Sequence, residues 1–354
     1  MVRFILTVVC RTVKEIRRNI VQMAYVICCT FTEKRNLVVI SSKNSHQFRN
    51  IPILCRQLLK ERVKFKLIDA NISLRNIYIL STAKVVCIDQ ATKLTSNLIL
   101  CDTTDVIQIW HAGGAYKKVG FDASDGSSFD LKRINRIHGN TKWIIITSNK
   151  LRDTYATAFN LPLEHVLPLG MLRTDLYFKS DRKFRQNKKI VLFAPTFRTF
   201  DKRRTIAGVG NVIRELKGKL KKYDYELVVR LHPSVANQLS INSIINWSDR
   251  ELLDCFNEIS VLVTDYSSIF FDFSLFYGRI FWYLEDIDDY QKERGLYFNP
   301  LIDYPEYASR NLDDLVKKIA FNDNENCHII RERFMDNCDG HSSQRIINFI
   351  KSLL

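Results

Sequence analysis

The sequence contains few of the residues that mark disordered or fibrous chains. Only 12 of its 354 residues are glycine and 7 are proline, whereas 46% are hydrophobic. Such a composition is typical of a folded globular protein and excludes low-complexity and collagenous classes. The length predicts roughly two domains, each large enough to bury its own core.

Long apolar runs and paired cysteines are also missing. No stretch reaches the roughly 18 consecutive apolar residues of a membrane-spanning helix, so we expect the chain not to cross a bilayer. The nine cysteines are scattered without a C-x-x-C pair, which disfavours a disulfide framework or a zinc ribbon and fits a reducing cytoplasm. Cys338 and His341 form a C-x-x-H without a second ligand pair at metal spacing, so we predict no metal site.

Acidic residues are fewer than basic ones, 38 against 53, which gives a net charge of +15. This excess favours a polyanionic partner: nucleic acid, an anionic membrane surface or phosphorylated substrates. The basic residues are dispersed and no motif for groove or single-strand recognition is present. A nucleic-acid-binding protein is therefore the distant alternative.

Residues 1–35 are predicted to form a basic amphipathic helix. Three cationic residues, Arg11, Lys14 and Arg18, lie largely off its apolar stripe. The stripe consists of residues spaced by three or four: Ile5, Val9, Val13, Ile16, Ile20 and Met23. Two interpretations stay open. The stripe lies on anionic lipid, or it packs on the first domain.

From Asn36 onward, short apolar runs typical of strands alternate with helical stretches, which predicts α/β domains with parallel sheets. The first domain is predicted over 36–178, a polar basic linker over 179–189, and the second domain over 190–340, with a closing helix over 341–354. Two doubly wound domains that face each other would place a ligand cleft between the carboxyl ends of their strands.

Two histidines follow predicted strands directly: His111 comes after Trp110, and His232 comes after Leu231. These are cleft positions in an α/β sheet. Histidine can act there as a general base or, when protonated, as a cation beside phosphate. A single histidine at a strand end is more often structural, but one in each domain favours a functional role.

The surroundings of these histidines add further candidates. Gly113 and Gly114 allow the backbone to approach a ligand closely. Lys117 and Lys118 follow them and are candidates to bind a phosphorylated acceptor. The alternative is that these two lysines lie on a solvated basic face. The segment Thr264–Ser268 places two hydroxyls and free N–H groups before a predicted helix, an arrangement that can hold phosphate. Its alternative is a plain N-cap.

Six blocks, taken together, resemble the CDP-glycerol glycerophosphotransferase family, which includes the teichoic-acid primases and polymerases of bacterial envelopes. The resemblance covers the chain from about Asn36 to its end. Ala-Gly-Gly-Ala follows the first histidine where many members have Gly-Thr-Pro, so either glycerol phosphate or ribitol phosphate is the expected cargo. The blocks are Gln108–Gly120, Thr147–Ser148, Gly170–Asp175, Phe193–Arg198, Arg230–Pro233 and Val263–Asp272.

The resemblance implies a GT-B type enzyme of two Rossmann-like domains, with the acceptor mainly on the first and the CDP-linked donor mainly on the second. It would transfer glycerol or ribitol phosphate to a hydroxyl of a lipid-linked or polymeric acceptor in teichoic-acid or capsule synthesis, releasing CMP. No tightly bound cofactor is implied. The expected location is the cytoplasmic face of the bacterial membrane, as a peripheral enzyme. A GT-B glycosyltransferase or sugar-nucleotide epimerase is the alternative.

The resemblance also implies roles for the candidate residues. His111 is assigned as the general base, with the neighbouring segment at the acceptor: Gly113, Gly114, Lys117 and Lys118. Residues of the second domain are assigned to the donor. His232, with Arg198 and Arg230, would stabilise its pyrophosphate, and Ser267 and Ser268 would bind its phosphates. Thr196 and Asp272 are secondary candidates for the same site.

Overall fold

The computed structural model describes residues 2–42, 50–179, 189–196, 206–231 and 245–354, and for residues 2–11, 206 and 207 it describes the backbone alone. The chain divides into two compact units. The first unit comprises Met1–His111, Val119–Asp175 and Asn337–Leu354, and the second comprises Ala112–Lys118 and Leu176–Asp336.

The first unit contains a six-stranded parallel sheet in the order β2-β1-β3-β4-β5-β6. Leu37–Ile40 is buried throughout, as expected for a parallel strand covered on both faces. The strands are β1 Arg35–Ser41, β2 Phe65–Ile68, β3 Ala83–Ile88, β4 Asp105–Gln108, β5 Trp143–Ile145 and β6 Val166–Leu167. The helices are α1 Val2–Phe31, α2 Asn50–Lys60, α3 Leu74–Thr82, α4 Ser128–His138 and α5 Arg152–Phe159.

Helix α1 packs on the first unit through a face that the sequence pattern did not indicate. Val21 and Tyr25 are buried in the core of this unit. By contrast, more than half of each described side chain of the predicted stripe is exposed: Val13, Ile16, Ile20 and Met23. These four described residues therefore do not form the packed face of α1, and the choice between the two interpretations of the stripe stays a prediction. Arg11, Ile5 and Val9 have side chains outside the described residues.

The second unit contains another six-stranded parallel sheet, in the order β12-β11-β10-β7-β8-β9. The strands are β7 Ile190–Ala194, β8 Glu226–Val229, β9 Ile245–Asn246, β10 Val261–Thr264, β11 Arg279–Tyr283 and β12 Ala308–Ser309. The helices are α6 Ile206–Lys221, α7 Leu252–Glu258, α8 Ile269–Phe273, α9 Ile287–Glu293, α10 Pro300–Asp303, α11 Leu312–Phe321 and α12 Cys327–Phe334.

The division into units differs from the expected domain bounds at residues 112–118, at 176–178 and from 337 to the C-terminus. Residues 112–118 group with the second unit, where the Tyr116 hydroxyl donates to the backbone carbonyl of Asp265 at 3.3 Å. The C-terminal helix α13, Ser342–Ser352, groups with the first unit. The Asp175 carboxylate accepts the N–H groups of Ser342 and Ser343 at 3.0 and 2.7 Å, which caps this helix.

The predicted α/β class with two parallel-sheet domains is confirmed. The predicted linker lies outside the described residues except for its ends, Lys179 and Lys189. Within the described ranges, no helix combines the length and hydropathy needed to cross a membrane.

Candidate active site

Each sheet has one topological switch point, where consecutive connections leave in opposite directions. In the first unit it lies between β1 and β3, and in the second unit between β7 and β10. Doubly wound sheets bind ligands beside the carboxyl ends of strands at such points. Functional side chains are therefore expected near these two positions.

His111 lies beyond the end of β4, next to the switch point of the first unit. Its Nδ1 lies 3.1 Å from the backbone carbonyl oxygen of Asp89, which follows β3. A carbonyl oxygen can only accept, so Nδ1 carries the hydrogen and the lone pair of the neutral ring is on Nε2. Burial, and then the positive charge of Arg173, lowers the pKa of His111 below its usual 6.5. The imidazole is therefore neutral at pH 7 and can accept a proton at Nε2.

Asn50 holds the backbone around His111 in an uncommon conformation. Trp110 has a φ of 51°, in the left-handed region that bulky residues rarely adopt. The Asn50 side chain donates to the Trp110 carbonyl at 3.0 Å and accepts from the Arg173 N–H at 3.0 Å. Arg173 in turn donates from Nη1 to the His111 carbonyl at 2.7 Å. Because Trp110 leaves the extended region, β4 ends earlier than the predicted strand.

Sequence reasoning missed Asn50, Asp89 and Arg173 as parts of this site. Arg173 lies within a block that carried the family resemblance, and Asp89 follows a buried strand, so both had a local signal. Asp89 also connects the two strands of the switch point, because Ser42 after β1 donates to its carboxylate at 3.1 Å. Burial raises the pKa of Asp89.

The paired glycines after His111 approach protein rather than open space. A Cβ on Gly113 would lie 2.8 Å from the Met335 sulfur, and one on Gly114 would lie 2.2 Å from the Phe271 ring. Gly114 also has a φ of +56°, which favours glycine. The close approach predicted from these glycines is therefore explained by packing within the second unit, and their assignment to acceptor binding stays a prediction.

Lys117 and Lys118 pair with the segment that follows α9. Lys117 forms an antiparallel bridge with Leu296, and the Lys118 N–H donates to the Gly295 carbonyl at 3.1 Å. The Lys117 ammonium lies 5.8 Å from the centre of the Tyr290 ring. Both lysines are half-buried, so a fully solvated basic face does not describe them.

At the switch point of the second unit, Asp265 connects the ends of β7 and β10. Its buried carboxylate accepts the N–H groups of Thr196 at 2.7 Å and of Tyr266 at 2.6 Å. The Thr196 hydroxyl is shielded from solvent and has no hydrogen-bond partner among the described residues. The assignment of Thr196 to donor binding stays a prediction. Asp265 lies in a predicted motif, but its own role was missed.

Arg230 has a role that differs from its predicted contact with pyrophosphate. Its Nη1 donates to the backbone carbonyls of Trp247 at 2.8 Å and Arg250 at 2.5 Å. Part of the guanidinium is therefore used to connect the end of β8 to the segment after β9. Whether Arg230 also contacts the pyrophosphate of the donor stays a prediction.

Three further predicted donor residues surround α8. The Ser267 hydroxyl accepts from the Ile269 N–H at 3.4 Å, and the Ser268 side chain forms no capping bond. The helix has only five residues, which makes its N-terminal dipole small. Asp272 is buried and accepts from the Tyr177 hydroxyl at 2.9 Å, so it has a structural partner.

Two predicted residues, Arg198 and His232, lie outside the described residues, and their roles stay predictions. Among the residues that the structure describes, no three His, Cys, Asp or Glu side chains are grouped as metal ligands. Cys338, which begins the C-x-x-H, is buried.

Two doubly wound parallel sheets, each with polar groups at its switch point, define a class of two-unit α/β proteins whose ligand sites lie beside the carboxyl ends of the strands. Within this class, the model of the family "CDP-Glycerol:Poly(glycerophosphate) glycerophosphotransferase" matches residues 33–352. The chain belongs to this family and is a transferase of the glycerophosphotransferase type. The resemblance stated from the six blocks is thereby confirmed.

The curated relatives include enzymes named for glycerol phosphate and enzymes named for ribitol phosphate. A teichoic acid glycerol-phosphate primase of Bacillus subtilis is 29% identical over 348 residues, which cover 94% of this chain and 86% of that protein. A teichoic acid ribitol-phosphate primase of Bacillus spizizenii is also 29% identical, over 301 residues that cover 79% of this chain and 77% of that protein.

Solved structures share the fold. The wall teichoic acid polymerase TagF superposes with a TM-score of 0.73 at 21% identity, covering 98% of this chain and 97% of that one. A putative UDP-N-acetylglucosamine 2-epimerase from Listeria monocytogenes has a TM-score of 0.55 at 12% identity, covering 90% of this chain and 96% of that one. The latter shows a common fold alone and gives no support to the epimerase alternative.

Proposed function

We propose that this enzyme transfers glycerol phosphate or ribitol phosphate from a CDP-linked polyol to a hydroxyl of a lipid-linked or polymeric acceptor in teichoic-acid or capsule synthesis. The observation that carries the proposal is the fixed tautomer of His111. With Nδ1–H bound to the Asp89 carbonyl, Nε2 is the atom that accepts a proton. Family membership supports the donor class, and the geometry supports the proposal of His111 as the base.

A single general base, His111, accounts for the proton transfer in the proposed reaction. The acceptor hydroxyl oxygen attacks the β-phosphorus of the donor, and its proton moves to Nε2 of His111. The bond between the β-phosphorus and the bridging oxygen breaks, and CMP leaves with the electron pair. General-base assistance of this kind contributes roughly 10²–10⁴-fold to rate. The donor is proposed to bind the second unit at Thr196, Ser267 and Ser268, with Arg198 and His232 stabilising the departing phosphate.

We propose further that α1 brings the enzyme to the cytoplasmic face of the membrane. The exposed apolar stripe defined above supplies buried area at the lipid interface. Lys14, Arg17 and Arg18 supply charge for anionic headgroups, each contributing on the order of 1 kcal/mol near such a surface. The exposure of the stripe supports this interpretation, because the first unit does not cover it.

The test of the reaction is CMP release from CDP-glycerol and, in parallel, from CDP-ribitol, with a soluble hydroxyl-bearing acceptor analogue. His111→Ala should lower turnover by about two orders of magnitude or more, the loss expected for a general base. The acid limb of the kcat/KM profile should have its midpoint below pH 6.5, because burial lowers the pKa of His111.

His165 provides a matched control. Its Nδ1 also lies against a backbone carbonyl, that of Lys142 at 2.8 Å, but these residues precede β6 and β5. His165 is therefore at the amino end of the same sheet. His165→Ala should keep wild-type turnover. Equal losses in the two variants, or none in His111→Ala, would remove His111 from the mechanism.

A further inference from the structure

Two cysteine thiols of the first unit lie directly against each other. Cys29 is in the last turn of α1, and Cys101 is in the segment between β3 and β4. Their Sγ atoms are 3.1 Å apart, although the residues are 72 positions apart in the sequence. Both are free thiols and half-buried. A disulfide joins its sulfur atoms at about 2.05 Å, so these two would have to approach by about 1 Å.

Hydrogen bonds on one side of the thiol pair hold α1 against the segment that contains Cys101. The Gln22 side chain donates to the Ile99 carbonyl at 3.1 Å and accepts the Ile99 N–H at 2.8 Å. The Tyr25 hydroxyl, one turn before Cys29, accepts the Cys101 N–H at 3.1 Å. The backbone that carries each thiol is therefore positioned by groups other than the thiols.

Further hydrogen bonds lie on the other side of the pair. The Lys34 ammonium, which follows α1, donates to the Thr104 hydroxyl at 2.6 Å, and the Thr104 N–H donates to the Cys101 carbonyl at 2.8 Å. The two backbone segments are thus joined before and after the thiols. Because a disulfide forms readily only where the backbone separation already suits it, this arrangement favours a cross-link. The partial exposure of both thiols gives a small reagent access to them.

Helix α1 is the element that such a cross-link would affect. Among its described side chains, only Val21 and Tyr25 are buried. An element with few buried contacts separates from the rest of a fold at a lower free energy than the core strands do. A covalent bond from Cys29 to Cys101 would oppose this separation, since it removes the conformations in which the two segments are apart.

We propose that Cys29 and Cys101 are a site of reversible disulfide formation with a low-molecular-weight disulfide, such as oxidised glutathione, and that the bond fixes α1 to the first unit. In a reducing compartment, which the scattered cysteines favour, disulfides are usually transient, so the bond is proposed as a reversible one. The proposal goes beyond the transfer reaction and does not depend on it.

The reaction proceeds by two thiol–disulfide exchanges. Burial, and then the hydrogen bond with Cys101, raises the pKa of Cys29 to about 11, so Cys29 is protonated at pH 7 and the first attack is assigned to Cys101. The Cys101 sulfur bonds to one sulfur of oxidised glutathione, whose S–S bond breaks, and one glutathione leaves with the Cys101 proton. The Cys29 sulfur then attacks the Cys101 sulfur, and the second glutathione leaves with the Cys29 proton. The two thiols lose two electrons, which reduce one glutathione disulfide to two glutathiones.

The test treats the full chain with excess oxidised glutathione and identifies cross-linked peptides by mass spectrometry without reduction. A peptide pair joined through Cys29 and Cys101 is expected in the wild type and should disappear on reduction. Cys29→Ser and Cys101→Ser should lack it. Cys28→Ser is the matched control, because Cys28 adjoins Cys29 on the same helix and is also half-buried, and it should form the cross-link as the wild type does. Absence of the cross-link in the wild type, or its loss in Cys28→Ser, overturns the proposal.

Hydrogen exchange measures the effect on α1. In the oxidised wild type, the amides of residues 20–31 should exchange about ten-fold or more slowly than in the reduced protein, because the cross-link opposes separation of the helix. Reduction should restore the original rate. Cys29→Ser should exchange as the reduced wild type does, both with and without oxidised glutathione, which also shows that the variant is folded. If the cross-link forms and the exchange of these amides is unchanged, the bond does not fix α1 and the proposal is wrong.

Discussion

Replacing Asn50 by alanine tests whether the conformation around His111 depends on one buried amide. Asn50 is fully buried, and its side chain joins the Trp110 carbonyl to the Arg173 N–H. Alanine leaves both backbone groups without this partner. Each buried group left unsatisfied costs about 1–3 kcal/mol, so the free energy of unfolding should fall by about 2–6 kcal/mol.

Turnover should fall as well, for a separate reason. The left-handed backbone at Trp110 stores strain on the order of 1–3 kcal/mol, and the bond from Asn50 opposes its release. Without that bond the segment relaxes, and Nε2 of His111 moves away from its position. We expect CMP release to fall about ten-fold or more at a temperature where the variant is still folded, since small misplacements of a catalytic group are costly.

Asn76 is the matched control for this experiment. It is also buried in the first unit, and its amide donates to Asp69 at 2.6 Å and to the Asn71 carbonyl at 2.9 Å. Asn76→Ala should lose stability, measured by urea unfolding, but keep wild-type turnover below its unfolding transition. If Asn50→Ala and Asn76→Ala have the same turnover, Asn50 does not position His111 and the reasoning is refuted.

Three further predictions follow from single contacts. Burial lowers the pKa of His138 to about 4 from the usual 6.5, so stability present above pH 6.5 is lost as the pH falls, by about 2 kcal/mol between pH 7 and 5. His138→Phe should remove this slope in urea titrations, and an unchanged slope would contradict it. Gly114→Ala should cost about 2–4 kcal/mol in thermal unfolding, because its Cβ would meet the Phe271 ring at positive φ. Gly218→Ala, with open space around it, should stabilise by up to about 1 kcal/mol, and equal effects at the two glycines would refute the packing argument. Thr196→Val should raise the KM for CDP-glycerol about 2- to 10-fold, as for one neutral hydrogen bond, with kcat little changed. An unchanged KM would show that this hydroxyl does not touch the donor.

The sequence was sufficient to predict those parts of the structure that depend on neighbouring residues along the chain. A short apolar run bounded by polar residues is a buried parallel strand in most contexts, and the predicted strands Ile190–Ala194 and Val261–Thr264 have the observed bounds. The six blocks were sufficient to identify the family, because each block contains residues that match the family's motifs and the blocks occur in the family's order along the chain.

Local signals also located part of the site. His111 was identified from its position after a strand, since the carboxyl ends of parallel strands share one edge of the sheet. The bond that fixes its tautomer comes from Asp89, which is 22 positions away. Nothing in the sequence pattern pairs these two residues, so the base could be predicted but its protonated nitrogen could not.

The tertiary structure alone decided which partner each group has. Periodicity showed that α1 has an apolar stripe, but not that Val21 and Tyr25 on another face would be covered instead. Asn50 meets residues 60 and 123 positions away, and Arg230 binds carbonyls beyond the next strand. The physical reason is the same in each case. Hydropathy and propensity depend on a residue and its near neighbours, whereas burial and hydrogen bonding depend on distant segments that meet only when the chain has folded.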